Sequence, residues 1–199
     1  MLYTRKGDGG TTKLFGCEQK RISKSSAVAE ALGSLDEINS LLGLVKVRAK
    51  ESGLAVKSLN DEPVWRIVHA IQHNLFIIQA ELAGADKRLG ESKVKALEAV
   101  IDNIENELPP IKSFFVSGGT ELGATFDYAR TIARRAERRV VKIAEGEVGP
   151  QKSEPRGLTS VAVGEPTRQY LNRLSSALYA LARYSNFSAG IKEEAPTYE

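Results

Sequence analysis

Apolar residues recur at three- and four-residue steps along most of this chain, and those steps predict helices. Ala27, Val28, Ala31, Leu32, Leu35, Ile38, Leu41, Leu42 and Val45 form one stripe. Gly33 and Gly43 interrupt it and either weaken the helix or admit another backbone. A second helix is expected to start near Pro63, because proline suits a first turn, and to end near Gly84. A third is expected from about Ser92, read as its N-cap, to Leu108, where Pro109-Pro110 stops it. Ile111 to Gly119 reads as a loop, Thr120 to Glu147 as a fourth helix and Glu165 to Ala189 as a fifth. The polar, proline-marked run Gly149–Gly157 separates the last two. There is little strand signal and no internal repeat, so the pattern reads as an all-α five-helix bundle.

Composition narrows the class only a little. The chain has 199 residues, 42% hydrophobic and 27% charged, which suits one globular domain. A net charge of +3 is too small to argue for nucleic acid by itself. The single cysteine, Cys17, excludes an internal disulfide and has no Cys–His pattern around it, so a reducing, cytoplasmic setting is expected and nucleophilic use is not. No apolar run approaches 18 residues and no apolar leader is evident, so neither a membrane span nor a signal peptide is expected.

Placement of the charges says more than their sum. Tyr3-Thr4-Arg5-Lys6-Gly7-Asp8-Gly9-Gly10-Thr11-Thr12-Lys13 combines three glycines, three basic residues and three threonines. Glycines let a backbone turn its N–H groups toward a ligand, and cations and hydroxyls suit phosphate oxygens. The segment is not a Walker A loop, and a polar turn has the same composition. Arg130, Arg134, Glu137 and Arg138 follow one another at helical spacing on one face, with Arg135 and Arg139 one step round. Such a face calls for anions, and guanidinium forks match phosphate. A solvated face or an oligomer contact would look the same. Asn172 opens a packed helix, where an amide can serve a nucleotide or a neighbouring backbone group. His69 and His73, four apart, have metal-pair spacing but lack the glutamate of H-E-x-x-H, so no metal site is expected there.

Taken together, these segments resemble the PduO-type ATP:cob(I)alamin adenosyltransferases. The resemblance runs from Tyr3 to about Gly190. It is carried by Thr4 through Gly10 with Thr12, by Gly33-Ser34-Leu35-Asp36-Glu37-Ile38-Asn39-Ser40, and by Ile71-Gln72 with Leu75-Phe76. Gly118-Gly119-Thr120, Arg130 through Arg138 and Asn172-Arg173-Leu174-Ser175 complete it. It implies a single domain: an ATP-binding segment over residues 1–23, a helical bundle over 24–190 and a tail over 191–199. It further implies a homotrimer with ATP between subunits, and transfer of the 5′-deoxyadenosyl group of ATP to cob(I)alamin with release of triphosphate. Mg²⁺ is the implied cofactor, and a cob(II)alamin reductase and an adenosylcobalamin-dependent enzyme are the implied partners. A non-catalytic bundle that binds a nucleotide or a protein is the alternative.

By that match Thr4, Arg5, Lys6, Gly7, Thr12, Lys13 and Lys24 contact ATP from the opening loop. Arg134, Arg135, Glu137 and Arg138 form the other wall, with Asn172 from the last helix. Arg134, Asp36, Arg130 and Phe114 are the implied catalytic set. Asp36 and Arg130 pair across the subunit boundary, and Phe114 lies against the lower face of the corrin. Ordinary core packing is the other reading of Phe114. The chain departs from the family pattern at Ser25, often acidic there, at Ser117, often proline, and at Ser176, usually aspartate.

Overall fold

The computed structural model describes residues 3–14, 21–146 and 162–198. Cys17, Glu147 and the run Gly149–Gly157 lie outside the described residues. A short antiparallel hairpin, β1 (Thr11–Lys13) with β2 (Arg21–Ser23), precedes the first helix. Helix α1 spans Ala27–Ser52; β3 (Ala55–Val56), a 3-10 turn and β4 (Glu62–Pro63) lead into α2 (Val64–Leu82). Helices α3 (Glu91–Glu107), α4 (Glu121–Ala144) and α5 (Glu165–Ser188) follow. Five long helices match the periodicity.

Each helix starts and stops for a local reason. Ser26 caps α1 by accepting from the Ala29 amide at 3.3 Å, and Gly53, with φ of 66°, ends it. The helix therefore runs a full two turns past the stripe that ends at Val45. Thr120 caps α4 through the Gly123 amide at 2.9 Å. The start of α3 corrects the expectation: Gly90 is its N-cap and Ser92 lies inside the first turn. Extended backbone at Gly90, followed by Glu91 on the positive end of the helix dipole, moves the cap two residues earlier.

Helix α4 packs against α1 and α5, α1 packs against α2, and α3 lies against α5. Two polar contacts tie α2 to α5 and close the ring. Asn74 donates to the buried Tyr170 hydroxyl at 3.1 Å. Burial pushes the Tyr170 phenol up to about 12, against the lowering effect of that hydrogen bond. Glu81, 1% exposed, accepts from the Gly164 amide at 2.6 Å, from Thr167 Oγ1 at 2.7 Å and from the Leu89 amide at 3.4 Å. A carboxylate on α2 thus serves the first amides of α5, where the dipole favours negative charge. The apolar core inside the ring includes Leu35, Ile38, Leu42, Ile71, Leu75, Phe126, Leu171 and Leu178. The stripe Ile132, Ala133, Ala136, Val140 and Ile143 turns α4 toward that core and leaves its arginines outside.

Replacing Glu81 with alanine strands the Gly164 and Thr167 donors in a buried place. The expected cost is about 1–3 kcal/mol of stability, read as a lower urea midpoint with an unchanged slope.

Candidate active site at two separate faces

The opening loop is shaped by backbone geometry and one arginine. Arg5 and Gly10 take positive φ, 58° and 74°. The Gly10 amide donates to the Gly7 carbonyl at 3.2 Å, and the Lys24 amide to the Gly10 carbonyl at 2.9 Å. Arg21 holds the turn from beneath: its guanidinium donates to the Lys6 carbonyl, to Thr11 Oγ1 at 2.8 Å and to the Thr11 carbonyl at 2.7 Å. The Lys24 ammonium lies over Gly7, so close that a Cβ there would sit 3.1 Å from Nζ. Glycine at position 7 leaves the room that this close approach uses. Thr4, Arg5 and Lys6 are exposed on this loop, and Thr12, Lys13 and Asp36 line one cavity of about 620 Å³ with Phe76 of α2.

The second face is built by α4 and α5. Arg134, Glu137, Arg138, Lys142 and Glu145 of α4 line a cavity of about 480 Å³ with Asn172 of α5. Asn172 donates to Glu137 at 3.0 Å, which fixes the amide and occupies that carboxylate. Of the five arginines between 130 and 139, three are already paired. Arg130 binds Asp127 at 2.6 Å, Arg135 binds Glu37, and Arg139 binds Glu30 at 3.3 Å together with Ser34. Arg134 and Arg138 have no ion pair among the described residues, and both are exposed in the cavity. Arg135 is turned toward α1 rather than into this cavity, because one residue on a helix is a rotation of about 100°.

A third wall continues from Arg134. That residue also lines a cavity of about 620 Å³ with Phe114, Arg130, Ser176 and Tyr179. Phe114 is 81% exposed, which excludes the core-packing reading within one protomer. Asp127 accepts from both Arg130 and Ser117. Burial alone would raise the Asp127 carboxyl; the two hydrogen bonds and the Arg130 charge outweigh it and hold the group below the usual carboxylate range. Ser117, one of the departures from the family pattern, thus supplies a hydroxyl that proline lacks.

Gly118 and Gly119 follow with φ of 138° and 97°. Asn186 of α5 sits against them, donating to the Gly118 carbonyl at 2.9 Å and accepting from the Thr120 amide at 2.9 Å. A Cβ at Gly119 would fall 2.6 Å from its Oδ1, and one at Gly123 would fall 2.4 Å from it. Both the fold of the turn and the nearness of Asn186 require glycine there.

Within one protomer the structure brings Arg134, Arg138, Glu137 and Asn172 together, and Arg130 and Phe114 beside them. It places Thr12, Lys13 and Asp36 on a different cavity, with no lining residue in common. His69 and His73 face each other at 3.1 Å, and no group of three metal-ligating side chains occurs among the described residues. No described helix is long and apolar enough to cross a membrane. Sequence reasoning missed Arg21, Asp127 and Asn186, which hold the site rather than line its basic wall. Only the Gly-Gly pair hinted at a neighbour, since paired glycines signal close approach.

The fold and these cavities define a helical bundle with a basic glycine loop and two arginines, Arg134 and Arg138, that lack an ion pair among the described residues. The chain belongs to the cobalamin adenosyltransferase family, whose model matches residues 2–185. It is 36% identical over 196 residues to corrinoid adenosyltransferase PduO of Citrobacter freundii, across 94% of this chain and 50% of that protein. It is also 36% identical over 198 residues to the corrinoid adenosyltransferase of Bacillus subtilis, across 96% and 89%. The chain spans about half the length of the PduO proteins that it matches. Among solved structures, a Phe-to-His variant of a PduO-type ATP:corrinoid adenosyltransferase from Lactobacillus reuteri, complexed with cobalamin and ATP, superposes with a TM-score of 0.79. It is 26% identical, over 100% of this chain and 97% of that one.

Arg21→Lys removes the fork that closes the loop while keeping its charge. Amide exchange at Lys24, whose N–H binds Gly10, should accelerate by about 10-fold or more, with helix amides unchanged.

Proposed function

We propose that this protein transfers the 5′-deoxyadenosyl group of ATP to the cobalt of cob(I)alamin. The observation that carries this reading is the couple Arg134 and Arg138, without an ion pair among the described residues, set in a cavity that continues, through Arg134, to an exposed phenylalanine. A polyanion and a large apolar ring system are the two ligands such a surface receives. The relatives are corrinoid adenosyltransferases by name, and two solved neighbours are complexed with cobalamin and ATP.

In the reaction, Co(I) attacks the ribose C5′. A Co–C bond forms as the C5′–O bond breaks, the electron pair leaves with triphosphate, and cobalt rises formally from Co(I) to Co(III). The nucleophile is the substrate's own metal, so the protein needs no serine, cysteine or histidine for attack. Its work is orientation of C5′ against cobalt and stabilisation of the leaving triphosphate. Arg134 and Arg138 supply guanidinium forks for that charge, with Lys142 behind them. The loop contributes Thr4, Arg5, Lys6, Gly7, Thr12, Lys13 and Lys24. Asn172 and Glu137 lock each other as a polar edge to the cavity. Arg135 serves through α1, where Glu37 holds it.

Because the loop and the arginine face line different cavities with no residue in common, the complete site joins two copies in a homotrimer. Asp36, exposed beside the loop, then meets Arg130 of a neighbour, and Asp127 keeps Arg130 in place to receive it. Mg²⁺ fits this donor set through Glu145 and the Glu137 oxygen that Asn172 leaves free, since Mg²⁺ takes one or two carboxylates plus substrate phosphates. Bound there, it would neutralise triphosphate oxygens. Phe114 covers the lower face of the corrin, excludes the lower axial ligand and so eases reduction to Co(I). A cob(II)alamin reductase supplies the electron in the cytoplasm, and an adenosylcobalamin-dependent enzyme takes the product.

Incubation with ATP, magnesium and chemically reduced cobalamin should yield a light-sensitive Co–C bond, seen as a colour change; a protein that binds both ligands and forms no such bond would refute the reading. Arg134→Lys keeps the charge but loses the fork, so kcat/KM should fall by about 10²-fold; unchanged kinetics would remove Arg134 from the phosphate site. Phe114→Ala should lower turnover from cob(II)alamin by about 10-fold or more while the KM for ATP stays within about 2-fold. Equal losses in both would count against the corrin role.

A further inference from the structure

The segment after α5 is fastened to the loop that carries Phe114 by one buried guanidinium. Arg183, on the last turns of α5, is 5% exposed. Its Nε donates to Glu193 Oε1 at 2.7 Å and its Nη2 to Glu193 Oε2 at 2.8 Å, a two-point fork. The same Nη2 donates to the Pro109 carbonyl at 3.0 Å, where the Phe114 loop begins. The guanidinium also lies over the Phe115 ring, 5.3 Å from its centroid. One residue further along each segment, the Val116 amide donates to the Glu194 carbonyl at 2.8 Å. A single charged group therefore binds the entry of the loop, its central aromatic and the returning chain at once.

We propose that Glu193 is a positioning residue for Phe114: by neutralising and orienting Arg183 it sets the loop that presents the phenylalanine to the corrin. Phe114 itself is 81% exposed and has no packing of its own to fix it. Its neighbours are fixed instead, Phe115 by Arg183 on one side, and Ser117 by Asp127 and Gly118 by Asn186 on the other. Without the Glu193 carboxylate, a buried guanidinium loses its partner and must turn toward water. In turning it releases Pro109 and Phe115 together. The hydrogen bonds that Arg183 donates to Glu193 raise the guanidinium above its ordinary value and keep it charged.

The loop's part in the corrin site rests on the function proposed above; the clasp itself does not. Glu193→Gln and the more severe Glu193→Ala, made in the full chain, separate the two. By hydrogen exchange, the Val116 amide should exchange about 10-fold faster in Glu193→Ala, while the Lys24 amide in the opening loop keeps its rate. In turnover, the KM for corrinoid should rise by about 5-fold or more with the KM for ATP within about 2-fold. The paramagnetic signature of four-coordinate cob(II)alamin should weaken in step. Wild-type protection of Val116 in both variants would overturn the clasp. Faster exchange with unaltered corrinoid kinetics and signature would overturn its positioning role. So would uniform loosening of all helices with equal losses toward both substrates. A wild-type protein that forms no Co–C bond would instead defeat the proposed function, with the exchange experiment still reading the clasp.

Discussion

Five guanidinium groups stand within ten residues of α4, and the structure disposes of them unequally. Three are neutralised, by Asp127 on the same helix and by Glu37 and Glu30 on α1. The latter two pairs fasten α4 to α1 while the apolar stripe buries the opposite face. Among the described residues Arg134 and Arg138 receive no such partner, and Glu137, which lines the same cavity, is engaged by Asn172. In water, two like charges about 4 Å apart repel by only about 1 kcal/mol, so solvent tolerates the excess. As a ligand excludes that water the same charges interact far more strongly, so the couple favours an anion that neutralises both.

Helix α5 makes that arrangement durable. It supplies Asn172 to the arginine cavity, Ser176 and Tyr179 to the aromatic side, and Arg183 and Asn186 to the loop between α3 and α4. Its own first turn is held by Glu81 of α2. Burial raises the Tyr179 phenol, with the Arg183 charge opposing, so the hydroxyl stays neutral beside the aromatic cavity. A rigid helix that touches every part of the second face keeps those parts in register. The exposed Phe114 can afford to lack packing only because its neighbours do not.

Much of this was legible in the chain. Apolar stripes long enough to span several turns announced all five helices, and the i, i+4 spacing put Arg134 and Arg138 on one face. What was hidden depends on long-range partners. The hairpin strands are three residues each, too short for alternation to register, and so the role of Arg21 beneath the loop could not be read. The periodicity placed Arg135 one step round, but only Glu37 on α1 shows that it turns away. Asn186 and Asp127 carry no motif; their meaning comes from the glycines and the serine that they meet across the fold. The N-terminal boundary of α3 went to Gly90 instead of Ser92 because extended backbone, not side-chain capping, ends the preceding loop.

The division of positive charge between two faces has an electrostatic reason. Arg5, Lys6, Lys13 and Lys24 on the loop and Arg134, Arg138 and Lys142 on α4 would repel strongly if one empty protomer gathered them into a single pocket. Kept at different cavities, they leave the free chain without a single pocket that gathers them. In the proposed homotrimer they converge only across a subunit boundary, where a triphosphate lies between them. The ligand then neutralises a repulsion that assembly alone creates. Binding and assembly become thermodynamically linked, each strengthening the other by the same free energy. The proposed Asp36–Arg130 pairing would work in the same direction, since it would join opposite charges at that boundary.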